Sequence, residues 1–540
     1  MKASSAVQVP AAACIAILAA FPAGAQIYPR ILWWYDLDAP SLGSASVGDI
    51  DGDGMPEIVF GTYFNDEKIH ALNAENGSQL WDYDTGGCND ASSVIWDVDG
   101  DGMLEVVAGA SSPYRIYCFD GTTGGVEWST SLGYPNCTDS PPAVGDIDGD
   151  GKPEIVLGTF YDWVFALNGE NGSILWQVDL GDGHIESDPA ILDLDGDGDL
   201  DIVVAEWMGL CRVLALEGDD GGILWTSTIP EDYMYHGPGF ADIDGDSKPE
   251  LAIGCYDGHV HCLNGEDGSL YWSFFTSSYA GAPTSLADLN GDGFLEVAWG
   301  AGNTVGATSC SGSGIWSFPA GGSVFRGSAI ADLDDDDTPD LVFGTGSGIL
   351  YARRGSLGQP LWDIDLQAHY GNEFDIDHAP VIADFDGDGG LDVFVVGGHA
   401  ESSQPGNNHG RAYALAAGAG TGPGWPMFRH DERHSGCFYG YQTGTGPGGA
   451  AGPGRLFISP NPSCGSICAH FFLDEPSRVR LAVYDLSGRL AGGTDFGLLS
   501  EGDHEAVLCS EPARRLPAGQ YLVMMDADGR VSSAMAVVLP

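Results

Sequence analysis

One nine-residue acidic loop constrains this chain more than any other feature, because it occurs eight times. Residues 146–154 give its full form, DIDGDGKPE. Carboxylates hold positions one, three, five and nine (Asp146, Asp148, Asp150 and Glu154), and Gly151 holds position six. In a tightly turned loop, alternate side chains can point at one centre, and glycine lets the chain turn sharply after the third acid. Several oxygen donors around one point suit calcium. Magnesium fits less well, because it prefers a rigid octahedron with several waters. The apolar run Ile155-Val156-Leu157 follows, so the loop joins two strands.

The other copies are Asp49, Asp51, Asp53 and Glu57; Asp97, Asp99, Asp101 and Glu105; Asp193, Asp195, Asp197 and Asp201; Asp242, Asp244, Asp246 and Glu250; Asp288, Asn290, Asp292 and Glu296; Asp332, Asp334, Asp336 and Asp340; and Asp384, Asp386, Asp388 and Asp392. Up to eight Ca2+ sites are expected, of unequal quality. Asn290 removes a charge from the sixth loop. Ser247 and Asp337 replace the glycine in the fifth and seventh, and aspartate tolerates a left-handed backbone better than most residues.

The loops recur every 44 to 52 residues, the spacing of propeller blades. Each unit reads as four strands. A short apolar strand enters the loop, and a second leaves it. A third resembles Val164-Phe165-Ala166-Leu167 and ends at an Asn-Gly-type hairpin turn. The fourth carries a tryptophan: Trp81, Trp128, Trp176, Trp225, Trp272, Trp316 or Trp362. One large aromatic at a fixed place in every unit packs blade on blade more simply than it forms a ligand box. Ile31-Leu32-Trp33-Trp34-Tyr35 looks like a fourth strand lacking its first three, so it is expected to complete the last blade and close the ring. The fold expected is all-β, an eight-bladed β-propeller, with seven blades as the alternative if one unit is incomplete.

The DxDGDGxxE loops followed by an apolar strand resemble FG-GAP or VCBS repeats of integrin-α-type propellers. Segments such as VFALNGENGSILW resemble the repeats of PQQ-dehydrogenase-like propellers, whose tryptophans dock blades together. The resemblance spans residues 27–435 and implies a calcium-binding propeller. PQQ chemistry is not expected, because the chain has no adjacent cysteine pair.

Residues 1–25 read as a secretory signal peptide: Lys2, an apolar run, then Ala23-Gly24-Ala25. No later run is long and apolar enough to span a membrane as a helix. The net charge of −58 argues against nucleic acid or an anionic membrane as partner. Eleven cysteines follow the signal segment, so at least one has no partner within the chain. Residues 436–454 are a glycine-rich linker by composition. Residues 455–540 alternate apolar and polar positions between turn signals, as an Ig-like sandwich does. Tyr484-Asp485-Leu486-Ser487-Gly488-Arg489 in particular resembles the sorting domain of type IX secretion cargo and the FlgD-type Ig-like domain. That resemblance implies the secretion machinery as a partner. Met535 stands where such tails often carry lysine. Residues 424–436 resemble the terminating segment of bacterial propellers, and their His430, Asp431 and His434 are read as packed on the propeller rather than as metal ligands.

In a four-stranded blade, the acidic loops and Asn-Gly turns share one face. The inter-blade connections and second-to-third-strand turns share the other. That second face varies between repeats and offers ligand-binding candidates: His184, Glu186, Asp188, Tyr233, Tyr235, His236, Arg326, Asp377 and His378. The chain therefore reads as an exported monomer, free or at the outer-membrane surface, that binds glycan or protein outside the cell. The alternative is a secreted polysaccharide lyase of the rhamnogalacturonan type, whose resemblance is to calcium-loaded eight-bladed lyases. No nucleophile motif, zinc pattern or phosphate loop supports another enzyme class.

Overall fold

The computed structural model describes residues 29–420 apart from 113, 134–135, 182, 195–197, 245–247, 293 and 337. It also describes residues 426–430 and 434 and the strands between 456 and 538. The signal segment, the linker, Asp195, Asp197, Asp246 and Asp431 lie outside the described residues.

Eight four-stranded antiparallel sheets follow one another between residues 30 and 418. In the first seven, four consecutive strands pair in sequence order, as in Ala143–Gly145, Glu154–Gly158, Trp163–Asn168 and Ile174–Asp179. The second strand is buried along its whole length, while the fourth alternates with solvent. The eighth sheet is composite. Val381–Ala383, Leu391–His399 and His409–Gly418 supply three strands, and Arg30–Leu37 adds the outermost one. Its register runs from Arg30 opposite Ala416 to Leu37 opposite Gly410. The ring therefore has eight blades, and the N-terminal strand closes it, as expected.

The tryptophans show how one blade grips the next. Each indole Nε1 donates to a backbone carbonyl of the following blade, in the third-to-fourth-strand turn except at Trp362, whose acceptor Ala417 lies at the end of the third strand of blade eight. Trp81 reaches Gly121 O at 2.6 Å, Trp128 reaches Gly169 O at 2.8 Å and Trp176 reaches Gly218 O at 2.7 Å. Trp225, Trp272, Trp316 and Trp362 do the same with Gly265, Cys310, Gly355 and Ala417. Trp33 makes the contact across the seam, to Ala74 O at 2.7 Å. The glycine of each Asn-Gly-type turn lies under the ring. At Gly172, φ is +67°, and a Cβ there would stand 2.3 Å from the Trp128 ring. Only glycine meets both demands.

Beyond the eighth blade, the chain returns to the axis. Ile382 N donates to Pro426 O at 2.8 Å, at the inner strand of blade eight. The buried Arg429 guanidinium donates to Pro238 O at the start of blade five. A ring nitrogen of His434 lies 3.1 Å from Pro142 O at the start of blade three, and the other 3.4 Å from Ser46 Oγ in blade one. Through these bonds Pro426, Arg429 and His434 touch blades one, three, five and eight.

The tail forms two antiparallel sheets, one of three strands and one of four. Val479, Leu481 and Val483 are buried and alternate with exposed Arg478 and Arg480, giving the four-stranded sheet one apolar face.

Candidate functional site

The acidic loops share one internal design. The position-nine acid opens the second strand of its blade and is buried in all eight loops: Glu57, Glu105, Glu154, Asp201, Glu250, Glu296, Asp340 and Asp392. One oxygen of each accepts the N–H of position two, at 2.8 to 3.1 Å. That bond fixes the carboxylate. The position-one acid accepts the N–H of position six, as Gly54 gives to Asp49 at 3.0 Å and Gly151 to Asp146 at 3.1 Å. Some buried oxygens then have no hydrogen-bond partner: Glu57 Oε1, Asp146 Oδ1 and Asp384 Oδ1. Ligand oxygens of Asp49, Asp51 and Asp53 lie within 4.8 Å of one another, as do those of Asp97, Asp99 and Asp101. Asp146, Asp148 and Glu154, and Asp242, Asp244 and Glu250, form similar groups. The donors are all oxygen, several are buried, and no base stands among them. This set fits a hard divalent cation.

The electrostatics agree with that fit. Burial, reinforced by the other loop acids against the position-two N–H, pushes Glu57 up to about 7. Glu105, Glu154, Glu250 and Glu296 are pushed up to about 8, with burial as the main cause. Clustered carboxylates of this kind need protons or a cation.

Two loops depart from the design. In the sixth, Asn290 Nδ2 donates to Glu296 Oε1 at 2.8 Å, covering the oxygen left bare in the first. In the seventh, the Arg354 guanidinium pairs with Asp334 and Asp336. A side-chain cation stands against two of the four expected calcium ligands there. Asp334 and Asp336 are thus engaged by Arg354, whereas Asp332 and Asp340 make no ion pair with it. Arg354 belongs to the third strand, so the loop's spacing gave no sign of it.

The opposite face gathers the inter-blade connections, and its candidates divide into two groups. Asp188, His236 and His378 are buried. Asp188 is 0% exposed and lies 2.6 Å from Arg429 Nε and 3.7 Å from His236 Nδ1. Burial works to raise its pKa, but Arg429, His236 and the Gly237 N–H outweigh that and hold it well below the usual carboxylate range. Burial keeps His236 and His378 neutral, down at about 4 and about 3. Through Arg429 and Phe428, Asp188 and His236 tie the terminal segment to the ring.

The second group gathers around Arg326. Its guanidinium carbon is 5.5 Å from the ring centres of both Tyr235 and Phe325. Asp90, Glu186 and Asp377 all feel its charge, and Asp139 lies among them. Burial, then Asp139, pushes Glu186 up to about 8 against a hydrogen bond from Tyr235 and the charge of Arg326. Asp377 also lines a cavity of about 150 Å³ with Glu373, Asp375 and His399.

Beside this group an arc of aromatic rings in contact runs from the turn of blade three to the connection between blades five and six. Tyr161 stacks on His184 at 6.1 Å, and Phe160 meets His184 edge-on at 4.1 Å. Trp207 follows, 6.1 Å from His184 and 5.6 Å from Tyr235. Tyr233, Tyr256 and Tyr279 continue it at 6.4 and 5.2 Å. Tyr161, Tyr233 and Tyr279 are 47%, 37% and 41% exposed. The sequence reading found His184, Tyr233 and Tyr235 but missed Phe160, Tyr161, Trp207 and Tyr256. These sit in second-to-third-strand turns, where an aromatic just past the second strand was the available signal.

Residues 97–157 match the FG-GAP-like repeat family, and residues 211–411 match the family described as outer membrane protein assembly factor BamB. No curated protein matches the chain. Among solved structures, the Vibrio cholerae biofilm matrix protein Bap1 aligns at 16% identity and a TM-score of 0.53, covering 72% of this chain and 91% of that one. Sqt1 of Saccharomyces cerevisiae aligns at 13% and 0.53, covering 72% and 99%. A quinohemoprotein alcohol dehydrogenase of Pseudomonas putida aligns at 15% and 0.53, covering 73% and 77%. The scaffold is a β-propeller. At these identities the likeness extends to the fold alone, and the site must speak for the function.

Proposed function

We propose that this chain is an exported calcium-binding propeller that holds glycan on its aromatic arc, through contacts that do not break the sugar chain. The arc from Tyr161 to Tyr279 carries this reading. Exposed rings present flat apolar faces to the C–H faces of sugars, and tyrosine and tryptophan add polar tips for hydroxyls at little entropic cost. Calcium in the loops other than the seventh would cancel carboxylate repulsion and stiffen the scaffold from the opposite face. The signal-like residues 1–25 and the sorting-like tail support export. The biofilm matrix protein among the structural neighbours is in keeping with a place outside the cell.

A uronate lyase is less well served. It needs positive charge around the sugar carboxylate, yet Arg326 shares its surroundings with Asp90, Asp139, Glu186 and Asp377. The test is a glycan array with the mature chain in calcium, followed by titration of the wild type and Trp207→Ala. Loss of affinity by tenfold or more in the variant supports the reading. Array binding that survives both Trp207→Ala and Tyr233→Ala overturns it, as does the appearance of unsaturated, ultraviolet-absorbing sugar ends.

A further inference from the structure

The second-to-third-strand turn of blade five holds a ligand set unlike the acidic loops. It reads Cys255-Tyr256-Asp257-Gly258-His259-Val260-His261. Four potential ligands alternate along it, and the hairpin folds them together. Cys255 N donates to His259 O at 2.9 Å, and Gly258 makes the turn with φ at +89°. The Cys255 thiol, an Asp257 oxygen and a His261 nitrogen all lie within 4.8 Å of one another. Asp257 Oδ2 is 2.8 Å from His261 Nε2, and Oδ1 is 3.2 Å from His259 Nδ1. Cys255 and His261 are buried, whereas His259 and Asp257 are partly open. The group has a closed floor and a mouth toward solvent.

We propose that Cys255, Asp257 and His261, with His259 beside Asp257 as the nearest fourth donor, form a transition-metal site of the zinc class, separate from the calcium loops and independent of the glycan reading. Sulfur, imidazole and carboxylate are the donors zinc accepts in four-coordinate sites. Calcium, a hard ion with oxygen ligands, does not compete for the thiol. His261 Nδ1 is 2.8 Å from Ser273 Oγ, a bond that would orient the ring and leave Nε2 to the metal. On binding, the thiol releases one proton to solvent, and His261 Nε2 exchanges Asp257 for the ion.

A simple ion pair would not require this composition. Blade one has the same four-residue spacing in Asp66 and His70, 3.3 Å apart, with Thr62 at the position of Cys255. Blades three and seven also carry threonine there, Thr159 and Thr345. Threonine therefore satisfies the fold, and the thiol adds metal chemistry. A metal here would also fix Tyr256, whose ring belongs to the arc.

The test uses the full mature chain in excess calcium, titrated with Co2+ as a spectroscopic probe and with Zn2+ against a chromophoric chelator. One equivalent should bind, and Co2+ should show a thiolate-to-metal charge-transfer band. Cys255→Thr should abolish that band and weaken zinc binding by about a hundredfold, and His261→Gln should weaken it at least tenfold. Cys137→Ser should leave both intact. Cys255→Thr copies the residue of blades one, three and seven, and an unchanged melt in calcium verifies its folding. Zinc affinity unaltered by both Cys255→Thr and His261→Gln, or no zinc bound in calcium, overturns the proposal, whatever the glycan array shows.

Discussion

The two faces of the ring are built from the same eight repeats and differ in kind. On the acidic face every loop uses one set of bonds, from the position-two N–H to the position-nine acid and from the indole to the next turn. On the opposite face the connections differ from blade to blade: Asp188 is locked to Arg429, Arg326 stands among acids, and a continuous arc of aromatic rings runs between blades three and six. Repetition marks the face that must hold every blade in the same way. Variation marks the face released from that task, where one blade can carry a tryptophan and another a thiol.

The largest effect expected is from chelation, which acts on the whole acidic face at once. In chelator the mature chain should melt well below its temperature in calcium. The buried acids have folded-state pKa values raised from 4.5 to about 7 or 8. An acid raised in this way makes the metal-free fold most stable at low pH, and that stability is lost as pH rises through 7 to 8. Calcium opposes this by holding the acids ionised. The gap between the calcium and chelator melts should widen from pH 5 to pH 8, and a gap that is constant or narrows would count against cation loops.

Next in size is Trp33→Ala, which removes the interlock at the ring seam. Loss of a buried tryptophan should cost about 3–5 kcal/mol, read as a denaturation midpoint. Trp207→Ala on the other face should change that midpoint little while abolishing glycan binding. Equal destabilisation by both would erase the division between the faces.

Arg354→Ala sharpens the comparison within the acidic face. It should cost about 1–2 kcal/mol in chelator, because it leaves Asp334 and Asp336 without their cation. In calcium the loss should shrink, since the ion can then enter the seventh loop. A loss that is the same in both conditions would mean that the loop never accepts calcium. The smallest effect is expected from Asp148→Asn, which should weaken only the third loop and leave glycan affinity at the wild-type value. A change in that affinity would show that the two faces are coupled.

The acidic face was legible in the sequence because its bonds are local. Asp49 bonds to Gly54 and Glu57 to Ile50 within one loop. The indole contacts recur every blade, so their period betrays them even at long range. The other face resisted reading for the opposite reason. Arg429 meets Asp188 only when a terminal segment returns to the axis. Arg354 reaches Asp334 from another strand. The ligand candidates Asp188, His236 and His378 could not be told from open ones by residue type, since burial alone separates them from Tyr233. Trp207 and Tyr256 stand two residues past their second strands, as Tyr63 and Phe160 do, a weaker signal than the loops because the rest of each turn varies in length and composition.

The strand Arg30–Leu37 has a consequence in time. It is among the first segments of the mature chain to be synthesised, yet its partner, His409–Gly418, is made last of all the propeller strands. Until then this edge, with its two tryptophans, has nothing to pair with, and edges of that kind template association between chains. Folding is thereby tied to completion of the propeller: no truncated product can close its ring, and a nascent chain stays open while it is translated. For the export proposed above, late closure would keep the chain transportable until the last blade has emerged.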